Sequence, residues 1–133
     1  MNTDQLKHMA LQFLSEFEHP DPERIAPMLA DNFEYRVMTS MPFQTAFDRN
    51  QPLTVFIPML QQMVPRGFNF KIVSAAAEGS EVAVQAESDT TLANGQKYAN
   101  RYHFYFRFEG DQLTEVLEYC DTNHLRQAFS PEQ

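Results

Sequence analysis

Tyr98-Ala99-Asn100-Arg101-Tyr102-His103-Phe104-Tyr105-Phe106-Arg107-Phe108 alternates without a break. Tyr98, Asn100, Tyr102, Phe104, Phe106 and Phe108 fall on one side of an extended chain, and Arg101, His103, Tyr105 and Arg107 on the other. Residues that recur at every second position share a face only in a strand, where successive Cβ atoms point to opposite sides. The first face is an aromatic wall interrupted by one amide, which makes it either a core or the lining of an apolar pocket. Glu109-Gly110-Asp111 then turns the chain, and Leu113 to Asp121 answers as the partner strand of a hairpin.

Working outward, Phe68 to Ala77 and Val82 to Leu92 read as two more strands, with Glu78-Gly79-Ser80 and Asn94-Gly95 as the turns. Upstream the period changes. Leu6, Met9, Ala10, Phe13, Leu14 and Phe17 follow helical spacing, with Asn2 or Thr3 as cap, and the helix stops before His19-Pro20. Asp21-Pro22-Glu23 starts a short second helix with Ile25, Met28 and Leu29 inward. From Asp31 the period is two again, with Phe33, Tyr35 and Val37 on one side. A loop rich in Met and Phe covers Thr39 to Phe47, and Asn50-Gln51-Pro52 opens a third helix carrying Val55, Phe56, Met59, Leu60 and Met63, bent at Pro58. Asp121 to Phe129 closes the chain as a short helix. Helices followed by a meander of antiparallel strands predict an α+β fold, in one domain over residues 1–133.

The composition excludes several function classes. Asp and Glu outnumber Lys and Arg eighteen to ten, and a net charge of −8 with no basic run repels a nucleic-acid backbone or an anionic lipid surface. Cys120 is the one cysteine, which excludes an intrachain disulfide and a multi-cysteine metal site. No pair of histidines has metal-ligand spacing, so neither a metal nor another cofactor is expected. The absence of a basic-then-apolar leader and of an apolar run of bilayer length leads to the expectation of a soluble cytoplasmic protein without membrane contact.

Candidate chemistry follows from the turn register. If Asn94-Gly95 is a two-residue turn, Asp89 faces Asn100, Glu87 faces Tyr102 and Gln85 faces Phe104. The aromatic face then acquires two carboxylates. Leu117, Tyr119 and Asp121 share one face of the next strand, so that Glu87, Asp89, Asn100, Tyr102, Tyr119 and Asp121 would converge at one end of an apolar concavity. Carboxylates buried together have raised pKa values, as a general acid or base near neutrality requires. The bland readings stand beside this one. Asp121 opens Asp121-Thr122-Asn123-His124 as a helix cap, Asn100 is a strand amide bonded to Asp89, Glu87 and Asp89 point to solvent, and Tyr35, Tyr102 and Tyr119 are core aromatics.

The helix order, the Tyr98-x-Asn100-x-Tyr102 strand and the Glu118-Tyr119-x-Asp121 end resemble the SnoaL-like, ketosteroid-isomerase-related branch of the nuclear-transport-factor-2-like superfamily. The resemblance runs over essentially the whole chain. It implies a cone: a strongly curved mixed or antiparallel sheet wrapped around three helices of the N-terminal half, a pocket between them, and a homodimer formed through the outer sheet face. It does not specify a reaction. Phe13, Val37 and Phe104 stand where steroid isomerases carry their tyrosine, base and protonated acid. Against limonene-type epoxide hydrolases, Asp121 matches the last acid and Glu87 or Asp89 the first, with Gln85 in place of arginine. Scytalone-type dehydratases need inward histidines, which are not well placed here.

Together these readings predict an acid/base enzyme of isomerase, cyclase or hydrolase type acting on a small apolar carbonyl-containing molecule. Asp121 is the expected base, Glu87 or Asp89 its partner, and Tyr102 a further catalytic candidate. Tyr35, Phe56, Met59, Asn100, Phe104 and Tyr119 are the expected ligand-binding residues. A non-catalytic module that holds a hydrophobic molecule or dimerises is the competing prediction.

Overall fold

The computed structural model describes residues 1–40, 46–48 and 60–129. In chain order the elements are α1 (Thr3–Ser15), α2 (Pro22–Ile25) running into a 3-10 turn (Ala26–Met28), β1 (Leu29–Val37), β2 (Ala46–Asp48), β3 (Lys71–Glu78), β4 (Glu81–Glu87), β5 (Thr90–Thr91), β6 (Lys97–Tyr98), β7 (Arg101–Glu109), β8 (Gln112–Cys120) and α3 (Thr122–Phe129). The fold is α+β, as the order of patterns predicts. Of the three helices expected in the N-terminal half, α1 and the short α2 are present, residues 60–63 are helical, and the rest of the expected third helix, with Phe56 and Met59, lies outside the described residues. The expected loop over residues 39–47 ends in strand β2, because Phe47 pairs with Tyr35 and buries its ring against it.

Six strands form one sheet in the order β2-β1-β8-β7-β4-β3. The β1–β8 pair is parallel and the others are antiparallel, so the sheet is mixed. Helix α1 starts from a capping box in which Asn2 and Gln5 satisfy each other's backbone N–H. It buries Leu6, Ala10, Phe13 and Leu14, and Phe13 packs on Phe33, Tyr35 and Phe106 of the sheet. On β7 the alternation reads as expected: Tyr102, Phe104, Phe106 and Phe108 are buried, while Arg101, His103 and Arg107 are exposed.

The hairpin register differs from the predicted one by a single residue. Leu92 N–H donates to Gln96 O and Gly95 N–H to Leu92 O, both at 2.9 Å, so the loop is Ala93-Asn94-Gly95 rather than Asn94-Gly95. Gly95 takes the left-handed conformation (φ +85°) that such a loop needs at its third residue. A one-residue shift moves a whole strand's side chains to the opposite face. Ala86 therefore faces Tyr102 and Val84 faces Phe104, and Glu87 pairs with Arg101 on the outer face.

A second parity change lies in β8. Phe108 pairs with Leu113 but Arg107 pairs with Glu115, leaving Thr114 as the extra residue of a β-bulge. Its hydroxyl donates to Arg107 O at 3.0 Å, which satisfies the carbonyl at the irregular step. Beyond the bulge the inward residues are Val116, Glu118 and Cys120, opposite Phe106, Phe104 and Tyr102, and Tyr119 is turned outward.

The long hairpin also breaks at Ser88-Asp89 and Ala99-Asn100, beyond which β5 and β6 form their own ladder. Asn100 holds this break. Its Nδ2 donates to Tyr98 Oη at 3.0 Å and Asp121 O at 3.1 Å, and its Oδ1 accepts from Arg101 N–H at 2.7 Å and Asp121 N–H at 3.0 Å. Every hydrogen-bonding position of the amide is used. One side chain thus ties β7 to the start of α3. Asn100→Ala strips partners from several buried groups at once and is expected to lower stability by about 2–4 kcal/mol in urea unfolding, whereas a loss below about 1 kcal/mol contradicts the account.

Candidate active site

Among the described residues, the inner face of the six-stranded sheet carries one carboxyl group. Glu118 sits on β8 opposite Phe104, and its Oε1 accepts a hydrogen bond from Tyr35 Oη on the neighbouring strand β1. Tyr35 is 2% exposed, with its ring held by Phe13, Phe17 and Phe47. Glu118 keeps partial solvent contact, which suits a group on a cavity wall rather than one sealed in a core. Burial pushes its pKa above the ordinary 4.5, against the opposing hydrogen bonds from Tyr35 and Cys120. Tyr35 is itself pushed well above the ordinary tyrosine value, first by burial and then by the adjacent Glu118 charge. It therefore remains a protonated donor. Cys120 lies next to Glu118 along the same face, and burial with the Glu118 charge raises its thiol to about 12, so it is not a thiolate nucleophile.

A chain of hydroxyls adjoins this carboxyl. Tyr102 Oη donates to Tyr98 Oη at 2.9 Å and lies 3.1 Å from Ser88 Oγ, which accepts Asn100 N–H at 3.1 Å. Tyr98 and Tyr102 are both raised in pKa, principally by burial, and both feel the Glu118 charge. Around them Phe70 packs edge-on against Tyr102 and Phe104, with ring centroids 5.3 Å and 5.8 Å away. The arrangement can hold a proton on Glu118 or take one, beside an aromatic wall.

The predicted site residues divide sharply. Tyr35 and Tyr102 lie in this cluster. Phe104 forms its wall but is fully buried against other rings. Asn100 is also inside, yet its amide is fully bonded to the backbone and neighbours and offers no hydrogen bond to a ligand. Its partner is the Asp121 backbone rather than Asp89. Asp121 is exposed and caps α3, its Oδ1 accepting from Asn123 and His124 N–H at 3.1 Å each. Glu87 is exposed on the outer face between Lys71 and Arg101, Asp89 forms an exposed ion pair with Lys97, and Tyr119 is 44% exposed. The expected acidic convergence of Glu87, Asp89 and Asp121 does not form, because both parity assignments behind it are off by one residue. Glu118 was missed for the same reason. The signal available was the Glu118-x-Cys120 pair itself, in step with Val116 rather than with Leu113.

An open groove of about 740 Å³ lies between the C-terminal half of α1 and the start of β3, floored by Leu11, Leu14, Phe70 and Ile72. Glu16 and Arg24, which also line it, neutralise each other, with Arg24 Nε to Glu16 Oε2 at 2.9 Å. Its link to the inner cluster is Phe70, which touches both. Among the described residues no group of three or more His, Cys, Asp or Glu is placed to hold a metal ion, and no helix is long and apolar enough to cross a membrane.

The SnoaL-like domain model matches residues 10–116. No curated protein sequence matches significantly. Among solved structures, an NTF2-like protein of Burkholderia xenovorans LB400 superposes with a TM-score of 0.81 at 17% identity, covering 96% of this chain and 98% of that one. An LEH-like epoxide hydrolase of M. tuberculosis gives 0.75 at 17% identity, covering 95% and 90%. The BvnE pinacolase of Penicillium brevicompactum gives 0.76 at 21% identity, covering 93% and 88%. At such identities these likenesses speak to fold alone. With four-fifths of its length matched by the family model, the chain belongs to the SnoaL-like domain family, and it shares the fold of the NTF2-like protein on which it superposes.

Proposed function

We propose that this protein is a cofactor-independent acid/base enzyme, of isomerase, cyclase or hydrolase type, whose proton-transfer group is Glu118 and whose substrate is a small apolar molecule with a carbonyl or comparable oxygen. The observation that carries this reading is the Glu118 carboxyl on the inner face of the sheet, raised in pKa by burial, bonded to Tyr35 and facing an aromatic wall. A titratable group of that kind in a hydrophobic interior is the ordinary mark of a functional site. As carboxylate it takes a proton from a carbon or a water, and Tyr35 stabilises the charge without surrendering its own proton. As acid it returns the proton to the product. The epoxide hydrolase and the pinacolase among the structural neighbours support chemistry of this class on this frame. The base role expected for Asp121 passes to Glu118, since the Asp121 carboxylate is engaged at the outside of α3.

The outer sheet face favours a homodimer. There Ala83, Tyr105 and Leu117 form a partly buried row across β4, β7 and β8, next to the row of Gln85, His103 and Tyr119. Leu117→Glu is expected to convert a dimer to monomer in analytical ultracentrifugation. A protein that is monomeric before the substitution contradicts this part of the reading.

Two further measurements test Glu118. Glu118→Gln is expected to lower kcat by at least about 100-fold on whatever cyclic ketone, enone or epoxide the wild-type protein turns over, with KM little changed. The stability test needs no substrate. A carboxyl whose folded pKa is raised favours folding while it is protonated, and that contribution is lost as pH rises from 4.5 through the folded value. The Tm of Glu118→Gln should therefore gain on that of wild type as pH increases over this window. A constant difference would falsify the burial on which the reading depends.

A further inference from the structure

Three hydroxyls inside the fold share two hydrogen bonds. Ser88 Oγ is paired with Tyr102 Oη, and Tyr102 Oη with Tyr98 Oη. Both ends of this chain are approached by groups that only donate: Asn100 N–H at Ser88 Oγ, 3.1 Å, and Asn100 Nδ2 at Tyr98 Oη, 3.0 Å. Neither can take a hydroxyl proton. Whichever way the chain is polarised, one O–H at one end has no acceptor among the described residues. With Tyr102 donating to Tyr98, it is the Tyr98 phenol.

Thr90 adds a fourth. Its Oγ1 is buried without a hydrogen-bond partner among the described residues. Thr90 is directly across the β5–β6 ladder from Tyr98, and two residues along from Ser88 on the same buried face. The four residues are 3% (Ser88), 4% (Thr90), 1% (Tyr98) and 6% (Tyr102) exposed. Buried hydroxyls are as a rule satisfied, so two spare donors in one region are complementary to an acceptor atom. Among the described residues no Lys or Arg bonds to any of the four, so an anionic ligand would find no compensating charge there.

We infer that Ser88, Thr90, Tyr98 and Tyr102 form a subsite for one uncharged acceptor oxygen, that of a ketone, aldehyde, ester or epoxide. Ser88 is its positioning residue: by accepting Asn100 N–H it is left to give its proton to Tyr102, which turns the chain's spare proton towards Tyr98. The subsite lies on the same inner face as the carboxyl: Tyr102 and its neighbour Phe104 have Cys120 and Glu118 as their partners on β8. The inference rests on the Glu118 reading only for what then happens to the bound molecule. The subsite itself recognises oxygen whether or not turnover occurs.

The test compares 2-acetylnaphthalene with 2-isopropenylnaphthalene, which replaces C=O by C=CH2 at almost unchanged shape, by calorimetric or fluorescence titration. Wild type is expected to bind the ketone at least about tenfold more tightly, the factor that one buried hydrogen bond supplies. Tyr98→Phe combined with Thr90→Val should reduce the preference below about twofold, and Glu118→Gln should keep it. If the double variant does not fold, Thr90→Val alone should still lower the preference about threefold, and Ser88→Thr should retain it where Ser88→Ala loses it. Because the readout is a ratio, a variant that merely loosens the core moves both probes together. Equal affinity of wild type for the two probes, an unchanged preference in the double variant, or no binding of the ketone up to its solubility overturns the subsite. Any of these results beside a normal pH dependence of Glu118→Gln stability leaves the proton-transfer reading standing.

Discussion

One residue too many in β8 decides what faces the interior. At Leu113 the strand is in step with Phe108, and past Thr114 it is in step with Arg107 and the residues before it, so the inward set changes from odd to even numbers. Without the bulge, Leu117, Tyr119 and Asp121 would point at the aromatic wall and Glu118 would lie in solvent. With it, the interior receives a carboxyl and a thiol, and the outer face receives a tyrosine. A bulge leaves a ladder group unpaired, and the Thr114 hydroxyl meets that need at Arg107 O. The chemistry of the site therefore depends on a backbone irregularity several residues away from it.

Inside, the balance of forces is set by desolvation. Burial disfavours the charged form of Glu118, and the hydrogen bonds from Tyr35 and Cys120 oppose that effect without cancelling it. The same burial lifts Tyr35, Tyr98 and Tyr102, so the phenols stay protonated over any pH at which the carboxyl titrates. A group that can change charge is surrounded by groups that cannot. That division of labour, one proton carrier among fixed donors, suits transfer of a proton to and from a neutral molecule. Asn100 sits at the join between this interior and α3, and its saturated amide makes the break in the long hairpin a rigid corner.

The fold was more legible in the sequence than the site. Alternation from Tyr102 to Phe108 identified β7 and its buried face, because an aromatic-rich strand leaves no other period available. Helix α1 was equally clear, since Asn2 and Gln5 make a cap and Leu6, Ala10, Phe13 and Leu14 a stripe. The site was not legible because it depends on two register choices, each of which reverses every side chain when wrong by one. Asn94-Gly95 suggests a two-residue turn, and only the Leu92 to Gln96 bonding reveals the longer loop. Period-two extrapolation from Leu113 reached Asp121, whose role as a helix cap was visible in Asp121-Thr122-Asn123-His124 all along. Glu118 lay between two aromatic-bearing frames and was passed over.

The central claim is that Glu118 titrates inside the fold with Tyr35 as its partner. Carbon-13 NMR of selectively labelled glutamate, followed through a pH titration of wild type, Glu118→Gln and Tyr35→Phe, addresses it without any substrate. The account predicts a resonance absent from Glu118→Gln, with a midpoint above 4.5 in wild type and higher still in Tyr35→Phe, where the stabilising hydrogen bond is gone. A Glu118 midpoint at or below 4.5, or one unmoved by Tyr35→Phe, contradicts it.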